Sequence, residues 1–316
     1  MDVTVRPLRD DEVSQADSIC RLAFGTFLGV PEPLAVFGDA DFVHPRHLAN
    51  PSAFYCAEVD GEIVGSNYAT HWGSVGFFGP LTVRPDLWDE GIGSRLMEPI
   101  MELFRTWNCS HTGLFTFPHS AKHHGLYQKF GFWPRFLTPV LDKAVDPAAA
   151  SAASWTSFAS AAGSEQARFT TEMREITNEI YPGLDVVPVE VEPLVRHRWG
   201  DVVLLEDGGR LVGFAVCHRG PGTEAGSGTC YVKFAAVRPG ADAEEHFLRL
   251  IDGCVGLAGR EGLQRISAGV NLGRHRAYRA MLGCGFRAGM MIGVAMHAQN
   301  AEGYSRPDIF VIDDWR

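Results

Sequence analysis

Long apolar runs are missing from this chain. Nowhere does it approach the roughly 20 consecutive apolar residues that a membrane helix needs. Paired cysteine spacing is missing too. The seven cysteines (Cys20, Cys56, Cys109, Cys217, Cys230, Cys254 and Cys284) include no C-x-x-C, and an odd, dispersed set reads as reduced core thiols of a cytosolic protein. Positive charge is in short supply, with 28 Lys and Arg against 38 Asp and Glu. The formal charge of −10 argues against nucleic-acid binding and mildly favours a cationic substrate. Met1–Arg6 is neither a signal h-region nor an Arg-rich transit segment, so a cytoplasmic location is expected. What remains is ordinary globular composition, 46% hydrophobic and 21% charged. The 316 residues are comfortable for two cores.

A repeat is present. Val83-Arg84-Pro85 recurs as Val237-Arg238-Pro239, and Gly131-Phe132 as Gly285-Phe286, both 154 residues on. The strand entries Asp60–Gly65 and Asp207–Gly213 also match, at an offset of 148, which places about six extra residues in the second copy at the Gly/Ser-rich loop Pro221–Gly228. An Ala/Ser-rich linker over 146–164 separates the copies, giving units at 1–145 and 165–316.

Periodicity predicts helices over Glu12–Phe27, Gly91–Trp107, Ser120–Phe130 and Glu165–Ile180. Pro99 should cost the second of these a hydrogen bond and kink it. Strands are predicted at Phe54–Val59, Glu62–His71, Phe77–Val83, Thr112–Phe117 and Phe132–Leu141. Short early connections make the sheet mixed and largely antiparallel, and the class α/β.

The turn Val83–Ser94 joins a strand to an amphipathic helix and contains Gly91 and Gly93. Backbone N–H groups at such a turn face outward, where the helix dipole favours an anion, so a phosphate or pyrophosphate fits.

These residues resemble the GCN5-related N-acetyltransferase (GNAT) superfamily in its tandem form. The matches are Val83, Pro85, Gly91, Gly93, Leu126, Tyr127, Gly131 and Phe132. Trp88 departs from the Gln or Arg usual there, which removes one polar pyrophosphate contact, and Ser120 stands where Asn is common.

The resemblance implies acetyl-CoA as co-substrate, no metal, and direct attack of a primary amine on the thioester. Carried over by position, Leu81, Thr82 and Val83 offer backbone groups to the pantetheine arm. Asp89, Glu90, Gly91, Ile92, Gly93 and Ser94 cradle the pyrophosphate, Arg95 adds charge, and Ser120 borders the cofactor. Tyr127 is the general acid and the Val83 N–H the oxyanion donor. His119 is the first candidate base, with His71, His123, His124 and a water relay as alternatives.

At the offset of 154, Gly91 becomes Glu245, Gly93 becomes Phe247 and Tyr127 becomes Met281. The second unit should therefore keep the fold, lack the cofactor, and close a wall of the substrate pocket. Asp39 and Asp41 are solvated loop acids or hold a cationic amine, and Arg274–Arg276 is an exposed helical face. The strand-like tail Pro307–Arg316 is expected to add a strand or tuck against the other unit, its acids reaching toward the pocket.

The function expected is acetylation of a small, cationic amine. A regulatory acyl-CoA-binding module and a protein N-acetyltransferase are the alternatives. No nucleic-acid or membrane partner is expected, and a homodimer is an open assembly.

Overall fold

The computed structural model describes residues 2–146, 154–299 and 301–316. Of the expected linker, 147–153 lie outside the described residues. Its later part forms a short strand and a 3-10 turn before a helix that begins at Gly163.

The strands are β1 Thr4–Pro7, β2 Phe54–Val59, β3 Glu62–Trp72, β4 Val75–Phe78, β5 Thr82–Val83, β6 His111–Thr116, β7 Trp133–Ala144, β8 Thr156–Ser157, β9 Gly200–Asp207, β10 Arg210–Gly220, β11 Gly226–Val237, β12 Arg265–Gly269, β13 Arg287–His297 and β14 Val311–Ile312. The helices are α1 Val13–Leu28, α2 His44–Ala49, α3 Ile92–Thr106, α4 Ala121–Gln128, α5 Gly163–Ile180, α6 Glu192–His197, α7 Ala243–Arg260 and α8 His275–Gly283.

Helix α1 buries Val13, Ala16, Ile19, Cys20 and Ala23, a helical stripe, and stops at Gly29 in the left-handed region (φ 67°). Helix α3 buries Ile92, Leu96, Met97, Ile100 and Phe104, and Pro99 does not end it.

Among the described residues one sheet runs β1-β2-β3-β4-β6-β13-β7-β12-β11-β10-β9-β8. Only β4/β6 and β11/β12 are parallel in it. The last long strand of each copy crosses over. β13 pairs with β6 of the first copy, and β7 pairs with β12 of the second. The two copies therefore share a continuous sheet rather than meeting across a linker.

The repeat is visible in register. Gly65 opposes Val83 and Gly213 opposes Val237. The Arg84 N–H donates to Val64 O and the Arg238 N–H to Val212 O, both at 2.8 Å. The copies differ where it matters. In the first, β4 pairs with β6 only as far as Phe78 opposite Leu114. The chain then passes a cis Gly79–Pro80 bond, and β5 pairs with β3 alone. A gap opens between β5 and β6. In the second copy β11 is continuous, and β14 lies against Ala235 and Ala236, filling the equivalent gap.

Candidate active site

The gap leads into a pocket of about 580 Å³ bordered by β5, the α3 N-terminus, α4, the aromatic face of α1 and the tail residues Trp315 and Arg316.

At one end is the glycine turn. Gly91 (φ 81°) is the N-cap of α3, and Asp89 also has positive φ (71°). A Cβ at Gly91 would meet nothing, so the backbone conformation is what requires glycine there. The Ser94 and Arg95 N–H groups both donate to Gly91 O, at 3.0 and 3.3 Å. The amides of Asp89, Glu90, Gly91, Ile92 and Gly93 have no acceptor among the described residues. A row of free amides at a helix N-terminus suits a diphosphate. The Ser94 amide, expected in that cradle, is spent inside the helix, although Ser94 still borders the pocket.

Other expected cradle residues lie elsewhere. The side chains of Glu90 and Arg95 do not line the pocket, and Arg95 faces Glu98 at 3.6 Å on the exposed helix surface. Lys122 does line it. Its Nζ lies 2.8 Å from Asp89 Oδ1 and 5.1 Å from the Trp88 ring. It offsets the acid that sits beside the cradle, a role that the bare motif did not signal. Trp88 pins the turn, its indole N–H donating to the Val83 carbonyl at 2.7 Å.

Along β5 the groups alternate. Because Arg84 bonds to Val64 on β3, the Val83 N–H points the other way, into the gap. By the same alternation, Thr82 turns its backbone groups toward Ser66 on β3, so Leu81 and Val83, not Thr82, offer main-chain contacts. The Thr82 residue still lines the pocket.

Tyr127 lies in the pocket wall, buried, its ring 5.5 Å from Phe78. Burial pushes its phenol well above the usual range, so the proton stays on. His123 also lines the pocket. Burial, then the nearby Lys122, lowers it to about 4, so it is neutral at pH 7.

His119 does not line the pocket. It sits in the turn after β6, exposed, its ring stacked 6.0 Å from Phe27. His71 stacks on Trp107 at 4.5 Å, and neither it nor His124 borders the pocket. Ser120 caps α4, its hydroxyl accepting from the His123 N–H at 3.4 Å, which directs it to the helix rather than to the cofactor.

The inner end was not foreseen. Arg46 on α2 lines the pocket, buried, and forms a forked pair with Glu224 at 3.0 and 2.9 Å. Its Nη1 donates to Gly79 O at 2.7 Å and its Nη2 to the Arg316 main-chain oxygen. Lys233 reaches Glu224 at 2.9 Å and the same Arg316 oxygen at 2.8 Å. These contacts join α2, the loop before β11 and the tail, across 270 residues of sequence, a separation that no local pattern encodes.

The other expectations resolve as follows. Asp39 accepts from the Ser227 N–H at 2.9 Å, and Asp41 from the Val43 and His44 N–H groups at 2.9 Å, so both acids hold backbone. Arg274 is not on an exposed face. It is buried against Asp313 at 2.5 Å. The tail does add a strand, and it brings Arg316 rather than its acids to the pocket.

In the second copy α7 starts at Ala243 with Asp242 as N-cap, so the turn is three residues shorter than the offset of 154 assumes. Asp242 and Glu244, not Glu245 and Phe247, replace the glycines. The replacement of Tyr127 by Met281 stands.

Residues 19–132 match the acetyltransferase (GNAT) family, and the N-terminal unit belongs to it. No curated protein sequence matched the chain. Solved structures share its fold over nearly the full length. A proposed acetyltransferase of Pyrococcus horikoshii is 15% identical with TM-score 0.70, over 99% of this chain and 95% of that one. A GCN5-related N-acetyltransferase of Sphaerobacter thermophilus is 14% identical with TM-score 0.57, over 96% and 98%. A tandem GNAT protein of the clavulanic acid biosynthesis pathway is 14% identical with TM-score 0.56, over 95% and 100%. The fold is thus the tandem GNAT fold, a family that uses acetyl-CoA. No helix among the described residues is long and apolar enough to cross a membrane.

Proposed function

We propose that the chain is an acetyl-CoA-dependent N-acetyltransferase. Residues 1–145 carry the chemistry, and 165–316 close the acceptor end of the pocket. The row of five free amides at Asp89–Gly93, opening on a pocket that also holds Tyr127, carries this reading. Those amides would hold the diphosphate, and the main chain at Leu81 and Val83 the pantetheine arm. Acetyl-CoA, when bound, supplies an activated acetyl thioester.

The remaining roles belong to the chain. The Val83 amide is a fixed donor facing the gap, suited to an oxygen that gains negative charge. Tyr127 keeps its proton across the neutral range and holds it ready for a leaving thiolate. His123, held neutral by burial, is too weak a base to deprotonate an ammonium efficiently, so the acceptor reacts as the free amine, having lost its proton to solvent buffer before it binds.

Thiol release from acetyl-CoA, measured across primary amines, tests the reading. Amine-dependent release that falls in Tyr127→Phe supports it. Coenzyme binding with no amine ever accelerating release would make the protein a binding module.

A further inference from the structure

The net charge favours a cationic acceptor, but the pocket lining contains Asp89 as its carboxylate, and Asp89 is paired with Lys122. The inner end offers the opposite sign. Arg46 spends its Nε, Nη1 and Nη2 on Glu224, Gly79 and the Arg316 main chain. Arg316 does not. Its Nε donates to Asp314 Oδ2 at 2.8 Å, and its guanidinium carbon lies 4.5 Å from the centre of the Tyr231 ring. Its Nη1 and Nη2 have no acceptor among the described residues, and Arg316 lines the pocket.

The guanidinium is held in place. Asp314 accepts from both Arg316 N and Arg316 Nε, and its Oδ1 also accepts from the Tyr231 hydroxyl at 3.0 Å. Trp315, the neighbouring residue, is buried and stacked 5.8 Å from Phe77 of β4. Two hydrogen bonds through Arg46 connect the Arg316 main chain to Gly79, where β4 ends and the gap begins. The Arg316 backbone is therefore tied to the point where the gap begins, and its side chain lines the pocket there. The same pocket has an aromatic wall. Phe24, Phe37 and Phe117 cluster at 5.4 and 6.1 Å, and Phe27 lies 4.8 Å from Phe117.

We infer that Arg316 receives a carboxylate of the acceptor, whose apolar body packs on the phenylalanine wall, so that the acceptor is an amine of the apolar amino-acid class. A planar guanidinium whose Nη1 and Nη2 are both free presents one N–H edge that matches a carboxylate in fork geometry. This inference rests on the N-acetyltransferase reading for its chemistry, but not for its binding site.

The test uses the full chain with phenylalanine, phenylalaninamide and phenethylamine, read by acetyl transfer and, without acetyl-CoA, by calorimetric binding. Wild type should prefer phenylalanine by about tenfold or more in kcat/KM, since hydrogen bonds to charged groups carry that scale of discrimination. Arg316→Gln should bring the three acceptors near parity by raising KM for phenylalanine. It should also weaken phenylalanine binding to the free protein by about tenfold or more. Asp314→Asn, which releases Arg316, should move the same ratio part of the way and provides a second variant if the first unfolds. Equal preference in wild type, or a preference unchanged by both variants, overturns the inference. If no amine releases thiol but phenylalanine binds in an Arg316-dependent way, the catalytic reading fails and the carboxylate site stands. If no carboxylate binds, the site itself is refuted.

Discussion

The amides of Val83 and Val237 occupy one position in two copies of the same unit, but only the first is free. The Val83 N–H faces the open gap, whereas the Val237 N–H donates to the Phe310 carbonyl at 3.4 Å. The tail that adds β14 beside Ala235 and Ala236 thus occupies the place that a pantetheine arm would need. The second copy differs from the first in three ways at this place: this added strand, acids at the α7 N-terminus, and Met281 in the position of the phenol.

Tyr127→Phe should lower kcat by about 100-fold or more, the scale of a lost general acid. Coenzyme A affinity should change little, since the amide row is untouched. Pre-steady-state thiol release together with equilibrium coenzyme binding separates the two effects. A parallel loss of both would make Tyr127 a packing residue.

Gly91→Ala places a Cβ on a left-handed backbone, which costs about 1–2 kcal/mol. The turn should shift and coenzyme affinity fall about tenfold. The mirror change Glu244→Gly in the second copy should leave the number of coenzyme molecules bound per chain unaltered, as read by calorimetry.

Glu224→Ala removes the shared acid of Arg46 and Lys233, both buried. Leaving two buried cations without their partner should cost about 3–5 kcal/mol in urea unfolding. Arg46 would also lose its anchor beside Gly79, so activity should fall even where the variant stays folded.

Glu190 and the buried histidines give opposite pH slopes. Burial raises the Glu190 carboxyl to about 7 from 4.5, despite its 2.8 Å bond from the Trp72 indole. The folded protein therefore binds a proton that the unfolded chain releases, and stability falls as pH rises from 4.5 to about 7. Burial lowers His218 to about 4, and stability from this group is lost as pH falls from 6.5 toward 4. Glu190→Gln should therefore raise the melting temperature more at pH 8 than at pH 4.5. An identical change at both would remove Glu190 from the account.

Periodicity and the glycine turn made the first unit readable. Helix α3 and strands β2 and β3 lie close to where the sequence put them: α3 has a one-sided buried stripe, and β3 is a largely buried run that opens at the Asp60-Gly61 turn. Two things were not readable. The crossing of β7 and β13 is a choice of partner strand, set by tertiary packing and not by either strand's own sequence, so no local signal marks it. The inner end of the pocket depends on Arg46, Glu224, Lys233 and Arg316, which are brought together by tertiary structure alone. His119 showed the limit of reasoning by proximity in sequence. Three residues past the end of β6, its ring stacks on Phe27 and it is not among the residues lining the pocket.

Hydrogen–deuterium exchange with and without coenzyme A tests the central claim most directly. The account predicts slower exchange at the Asp89–Gly93 amides and no change at Asp242–Phe247, with one coenzyme bound per chain. Protection at the α7 N-terminus, or none at Gly91, would contradict it.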